Sequence, residues 1–153
     1  MKHEIARLKL GDMGPFGDTL AEFNGEQINV FGGISGEEVI CRIIRYRRKR
    51  KFYVSAFVEE VLSPSPHRIK PPCPYFGGCT GCQWQHISYT HQLEMKRDTI
   101  LREFGNYGTL ENVTIARVVA SPQTFGYRNH ARFTVRENGA VGFVNRVTRR
   151  FVK

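Results

Sequence analysis

Short apolar stretches separated by glycine-rich turns fill the first part of the chain. They are Ile5–Leu10, Thr19–Phe23, Ile28–Phe31, Val39–Tyr46 and Phe52–Leu62, divided by Gly11 to Gly17, by Asn24-Gly25, by Gly32 to Gly36 and by a run of cations. Apolar runs of strand length bounded by turn residues predict five β-strands within residues 1–62. Asn24-Gly25 is a two-residue hairpin signal, because both positions favour positive φ. Five short strands in so short a span suit a small closed OB-like barrel, since closure removes exposed sheet edges.

The pattern then changes. Four prolines between Ser63 and Pro72 predict an extended linker. Ser88 to Phe104 has helical spacing, with Tyr89, Leu93, Ile100 and Phe104 on one face, Ser88 as the cap and Gly105 as the stop. Strand patterns return at Val113–Ala120, Arg132–Arg136 and Ala140–Val144, the last two flanking Asn138-Gly139. The chain stops at Arg149-Arg-Phe-Val-Lys153 with no cap, turn or polar tail; an edge strand can end so, and so can a cut. The expectation is a mainly β chain with an α+β C-terminal part. Its three regions are a barrel at 1–62, a linker, cysteine loop and helix at 63–105, and a partial α+β region at 106–153.

With 153 residues, 41% hydrophobic and 24% charged, the chain has the balance of a soluble globular protein. No apolar run approaches the roughly 20 residues that span a bilayer. The N-terminus, Met1-Lys-His-Glu-Ile-Ala-Arg, carries no apolar export segment, which points to the cytoplasm and to reduced thiols. Net charge is +9, unevenly spread: +1 over residues 1–62, +1 over 63–111 and +7 over 112–153. Six of the seven residues from Arg45 to Lys51 are basic: Arg45, Arg47, Arg48, Lys49, Arg50 and Lys51. This block falls at the hairpin joining the two longest predicted strands. Two basic regions on one chain point to a polyanion, with phosphates as the charges. A solvated charged turn is the plainer reading of the block.

Cys73, Cys79 and Cys82 form a C-x5-C-x2-C array; Cys41, in the apolar run Val39–Ile44, reads as a small buried thiol. Close-set thiolates bind zinc and iron–sulfur clusters because both are thiolate-selective. Gly77, Gly78 and Gly81 let the backbone wrap a bound centre and aim N–H groups at sulfur. Three alternatives stay open from spacing alone. One is a zinc site of the Cys3His type completed by His86, with His91 as a further ligand candidate. The second is an iron–sulfur site short of one ligand, which includes a redox-sensing cluster protein. The third is a set of free thiols. The x5 gap does not match the C-x3-C-x2-C loop of radical S-adenosylmethionine enzymes.

The segment Cys73-Pro-Tyr-Phe-Gly-Gly-Cys-Thr-Gly-Cys-Gln-Trp-Gln-His86 resembles C-P-x-F-G-x-C-G-G-C-x-x-Q-H, the cluster motif of iron–sulfur RNA uracil-5-methyltransferases, particularly those acting on 23S ribosomal RNA. Tyr89-x-x-Gln92-Leu93-x-x-Lys96 is similar to the helix that follows that motif. Gly126-Tyr-Arg-Asn-His-Ala-Arg-Phe133 resembles the family's G-Y-R-N-x-x-x-F strand, and Gly142-Phe143 its next one. Residues 1–62 look like a TRAM domain, with Gly11-Asp12 through Gly17 and Ile34-Ser-Gly-Glu-Glu-Val39 carrying the match. The resemblance implies a monomeric RNA-binding portion of a methyltransferase, with 23S rRNA as partner and tRNA as the other candidate.

The same resemblance implies a 4Fe-4S cluster on Cys73, Cys79 and Cys82. The family's fourth cysteine lies a short way beyond the Gly-Phe strand, and this chain stops first. The S-adenosylmethionine-binding catalytic domain of the family is also without a counterpart here, and none of the four cysteines resembles its nucleophile. On this reading the RNA contacts are Arg45, Arg47, Arg48, Lys49, Arg50 and Lys51, with Tyr46 or Tyr53 stacking on bases. Arg128, Arg132, Arg146, Arg149 and Arg150 supply a second basic surface. The chain alone is expected to hold its cluster poorly. The rival readings are a stand-alone zinc RNA-binding protein and a redox-sensing cluster protein.

Overall fold

A computed structural model describes residues 4–48, 50–108, 113–145 and 150–152. It divides into two compact units, Met1–His86 with Phe133–Lys153, and Ile87–Arg132. The first unit holds β1 (Glu4–Lys9), β2 (Thr19–Phe23), β3 (Glu26–Phe31), β4 (Glu38–Arg48) and β5 (Lys51–Ser63), within a residue or two of the predicted strands at most ends. They form one curled sheet in the order β1-β4-β5-β3-β2, antiparallel except for the β3–β5 pair.

Alternation along each strand explains the curl. Val39, Cys41 and Ile43 of β4 face inward with Leu8, Leu10, Ala21, Ile28, Val30 and Ala56, and bury nearly all of their surface. Opposite Glu38/Val39 and Ile40/Cys41 the register skips Leu62 and Glu59 of β5, and these extra residues bend that long strand against β4, as bulges do. Asn24 and Gly25 have φ of 52° and 78°, the geometry of the predicted hairpin turn.

The edge strands β1 and β2 do not pair along their length. The sheet is therefore a half-barrel of TRAM-like form rather than the fully closed barrel that the pattern suggested. Its two edges meet just past β1, where Gly11 N–H donates to Leu20 O at 2.7 Å and Leu20 N–H to Asp12 O at 2.8 Å.

The proline-rich segment after β5 is fastened to this sheet. Glu37, 1% exposed, accepts from Arg68 Nε and Nη2 at 2.6 Å each, from Ile34 N–H at 2.9 Å and from Ser65 N–H at 2.9 Å. Arg68 Nη2 also donates to Gly32 O at 2.8 Å. Burial alone would raise the Glu37 carboxyl. The hydrogen bonds from Arg68, Ser65 and Ile34, with the guanidinium charge, hold it below its ordinary range instead.

In the same unit β6 (Thr134–Val135), β7 (Val141–Val144) and β8 (Phe151–Val152) make a small antiparallel sheet. Asn138-Gly139 turns β6 into β7, with Gly139 at φ 78°. A Cβ on Gly142 would lie 2.2 Å from Val152 O, so only glycine lets β8 approach there.

The second unit holds α1 (Tyr89–Gly105). Ser88 occupies the N-cap position, but its side chain makes no capping bond, contrary to expectation; its carbonyl accepts from Gln92 N–H at 3.0 Å. The helix continues through Gly105 to Asn106 without a left-handed residue. Met95 is its buried residue, whereas Ile100 and Phe104 of the predicted apolar face are exposed. Val113–Ala120 forms no strand. One of its carbonyls, Ile115 O, accepts from Arg97 at 3.1 and 3.3 Å, and just past the segment Tyr89 Oη accepts from Ser121 N–H at 2.7 Å. With no strand beside it in this unit, the segment's β-propensity goes unused.

Candidate metal centre and nucleic-acid interface

The cysteine loop is pinned to the first unit on two sides. Trp84 Nε1–H donates to Gly17 O at 3.0 Å and Gln83 Nε2 to Phe16 O at 2.6 Å, joining the loop to the β1–β2 turn. Thr80 donates twice to Val144 O, from N–H at 3.3 Å and from Oγ1 at 3.0 Å, and Cys79 bridges to Asn145. The loop therefore lies against the end of β7. Gly81 packs so tightly there that a Cβ would meet the Phe143 ring at 3.2 Å.

All four cysteines are free thiols. Cys79 Sγ accepts from Gly81 N–H at 3.3 Å, and Cys82 Sγ from Gln85 Nε2 at 3.1 Å. The same Gln85 amide accepts from Cys73 N–H at 3.3 Å through Oε1, so one side chain ties two cysteine positions together. Gly77, at φ 86°, supplies a left-handed residue in the Cys73–Cys79 turn. Cys79 and Cys82 open onto a cavity of about 260 Å³ that is also lined by Phe31, Phe57, Phe76 and Asn145.

This donor set has the chemistry a thiolate-bound centre requires: partly exposed thiols, N–H groups aimed at sulfur, and a cavity beside them. Among the described residues, however, no three His, Cys, Asp or Glu side chains form a group that could hold a metal ion. Cys73 does not line the cavity onto which the other two open. Metal binding commonly gathers ligands that stand apart without it.

Two further ligand candidates, His86 and Cys41, do not line this cavity. His86, 1% exposed, has Nε2 at 3.1 Å from Gly33 O and its ring centroid 5.1 Å from that of Phe76. A carbonyl only accepts, so Nε2 carries the proton and Nδ1 is left as a buried acceptor with no hydrogen-bond partner among the described residues. Burial, the largest influence, pulls its pKa down to about 4. Cys41 is fully buried in the barrel core, and that burial pushes its thiol up to about 12. Both are more buried than the loop cysteines, which are half-buried or exposed.

The predicted basic hairpin is the far end of the β4–β5 ribbon. The last described residue paired by β1 on β4 is Ile43, and β3 pairs β5 only from Ser55 onward. Four further cross-strand pairs, Arg45–Val54 to Arg48–Lys51, run beyond those neighbours. Arg45 is partly neutralised by an ion pair with Glu4 and lies over the Phe23 ring at 5.9 Å. Arg47, Arg50 and Lys51 are exposed and make no ion pair among the described residues. Arg50 adopts φ 67° at the turn. Tyr46 and Tyr53 stack on each other across the ribbon at 5.5 Å between centroids. Only the backbone of Arg48 is described, and Lys49, Arg146 and Arg149 lie outside the described residues.

The other predicted cations that are described divide between the two units. Arg128 and Arg132 are exposed in the second unit, with Arg128 over the Tyr127 ring at 5.9 Å, while Arg150 belongs to the first. Residue patterns missed three functional features here. Phe52 is 79% exposed at the ribbon end with Arg47 over its ring, Gln85 bridges two cysteine positions, and Glu37 holds the proline segment through Arg68. The signal for Phe52 was available in its position, one residue past six cations in seven.

No protein-family model matches the chain. Curated relatives do match across most of it. The chain is 32% identical over 133 residues to an uncharacterized RNA methyltransferase of Caldanaerobacter subterraneus, a match covering 87% of this chain and 29% of that protein. It is 34% identical over 143 residues to an uncharacterized RNA methyltransferase of Aquifex aeolicus, covering 94% and 32%. The chain is a homologue of part of these RNA methyltransferases. A third, from a Nostoc strain, is 30% identical over 85% of the chain. The chain spans about 30% of the length of the curated relatives it matches. Among its described residues no helix is long and apolar enough to cross a membrane.

Proposed function

We propose that this RNA methyltransferase homologue is the RNA-recognition portion of a uracil-5-methyltransferase, acting in the cytoplasm on ribosomal RNA, with a structural iron–sulfur cluster in the cysteine loop. The observation that carries this reading is the placement of the loop against β7. The resemblance puts a fourth cluster cysteine a short way past the Gly142-Phe143 strand, and that strand delivers its following residue, Asn145, to Cys79. Cys73, Cys79 and Cys82 would hold the cluster, with Gly81 N–H and the Gln85 amide at the sulfurs. Bound there, the cluster would cross-link loop and small sheet without taking part in methyl transfer.

The chain's own residues hold RNA. Arg47, Arg50 and Lys51 are placed for phosphates, which fix register and orientation rather than sequence. Arg128, Arg132 and Arg150 add positive potential. In the family reaction a cysteine adds to uracil C6, the methyl group arrives at C5 and a base removes the C5 proton. The target base leaves its stack for this, and the surrounding RNA has to be held while it does. This chain would supply that hold. The cluster is favoured over a Cys3His zinc site because His86 does not line the cavity onto which Cys79 and Cys82 open.

A competition experiment tests the target. Labelled 23S rRNA fragments bound to the chain should be displaced by unlabelled 23S rRNA at lower concentration than by bulk tRNA at the same salt. Equal or better displacement by tRNA would move the substrate to tRNA.

A further inference from the structure

The β4–β5 ribbon carries more than charge. Four cross-strand pairs at about 3.3 Å per residue give an arm roughly 13 Å long beyond the described residues of the neighbouring strands. Strand alternation divides its side chains between two faces. On the face continuous with Ile43 and Ala56 lie the pairs Arg45–Val54 and Arg47–Phe52. The opposite face carries Tyr46, Tyr53 and Lys51.

Phe52 stands out on the first face. Its side chain is 79% exposed, and its neighbour is the Arg47 guanidinium, 5.7 Å from the ring centroid. It adds nothing to the barrel core, which stops at Ile43, Val54 and Ala56. Hydrophobic burial therefore does not account for it. An aromatic ring beside a guanidinium is instead a platform on which a nucleobase can stack, with π contact to the ring and cation–π contact to the arginine.

An A-form duplex keeps its base faces stacked inside the helix and offers only edges, hydroxyls and phosphates. Unpaired bases can be splayed out onto aromatic side chains. The cations of the arm supply the charge complementarity for a phosphate backbone running past the platform.

We propose that the β4–β5 arm takes an unpaired stretch of RNA, with one base stacked on the Phe52–Arg47 platform, so that the arm distinguishes single-stranded from duplex RNA. This rests on the RNA-binding reading above and adds the class of RNA structure recognised. Tyr46 and Tyr53, 44% and 41% exposed, already cover each other on one side, which leaves Phe52 as the open platform.

The test uses the full chain and two fluorescein-labelled RNAs of one sequence about a dozen residues long, single-stranded and as the duplex, at one salt concentration. Wild type should prefer the single strand. Phe52→Ala should weaken single-strand binding at least about five-fold, the low end of a lost base–aromatic stack. It should leave duplex binding and the salt slope unchanged, and Phe52→Trp should retain wild-type affinity. Quenching of a 2-aminopurine placed in the strand should disappear in Phe52→Ala and persist in Phe52→Trp. Because Phe52 is a surface residue, thermal unfolding of the variants should match wild type.

Wild-type affinity in Phe52→Ala, or an equal loss on both RNAs, overturns the inference. Binding of both RNAs by wild type with no preference overturns it while leaving the RNA-binding reading standing. Binding of neither RNA overturns both.

Discussion

Arg68→Ala is expected to cost the fold about 3–5 kcal/mol, the range for removing one partner of a buried ion pair. The alanine leaves the Glu37 carboxylate with only the Ile34 and Ser65 N–H groups, 1% exposed and without its counter-charge. It also removes the donor to Gly32 O. Denaturant unfolding measures the loss directly; a change below about 1 kcal/mol, the value of an exposed pair, would show that the pair does not fasten the proline segment.

The same region sets the acid response. Glu37 is held below its ordinary range in the fold, so its contribution is full above the unfolded value and is lost as pH falls through the folded one. His86 acts earlier. Its folded pKa is about 4 against 6.5 for the ordinary side chain. Between those values the unfolded state binds the proton and the folded state does not, so stability rises with pH across that window. Acidification from about 6.5 to 4 should therefore remove on the order of 3 kcal/mol. His86→Phe, which cannot titrate, should flatten that part of the stability profile. A wild-type profile already flat between those pH values would contradict the buried neutral imidazole.

Iron content gives the second large effect. Anaerobically reconstituted wild type should be brown and contain iron and sulfide, held loosely enough for a chelator to strip. Cys79→Ser and Cys82→Ser should lose nearly all of the iron, because hydroxyl oxygen is a poor substitute for thiolate at a soft centre. Cys73→Ser should follow them if metal binding draws that residue to the other two. Cys41→Ala should keep its iron, since that thiol lies in the barrel core. Colourless protein with zinc, lost in His86→Ala, would establish the Cys3His alternative. Iron retained by all three loop variants would remove the loop from the site.

Much of this architecture was legible in the residues, for identifiable reasons. Alternation at Val39, Cys41 and Ile43 and the Asn24-Gly25 turn report local geometry, and the five strands followed from such signals. The degree of closure did not: the pattern suggested a fully closed barrel, whereas β1 and β2 meet only through two backbone bonds near Gly11, which side-chain pattern does not report. The strand expected at Val113–Ala120 failed for a tertiary reason: no described strand of its unit lies beside it, and its Ile115 carbonyl bonds Arg97 instead. The proline run looked like a free linker because a buried Glu37–Arg68 pair leaves no periodic trace. At the site, the spacing of Cys73, Cys79 and Cys82 was visible, but not the Gln85 amide between them or the contact with Asn145.

The most direct test of the central claim is the RNA affinity of the chain as a function of salt, for wild type and for the triple variant Arg47→Ala, Arg50→Ala, Lys51→Ala. Each lost phosphate contact should lower the slope of log affinity against log salt by about 0.7–0.9. Weaker binding and a slope shallower by roughly two units are expected in the triple variant. Unchanged affinity with an unchanged slope would contradict it.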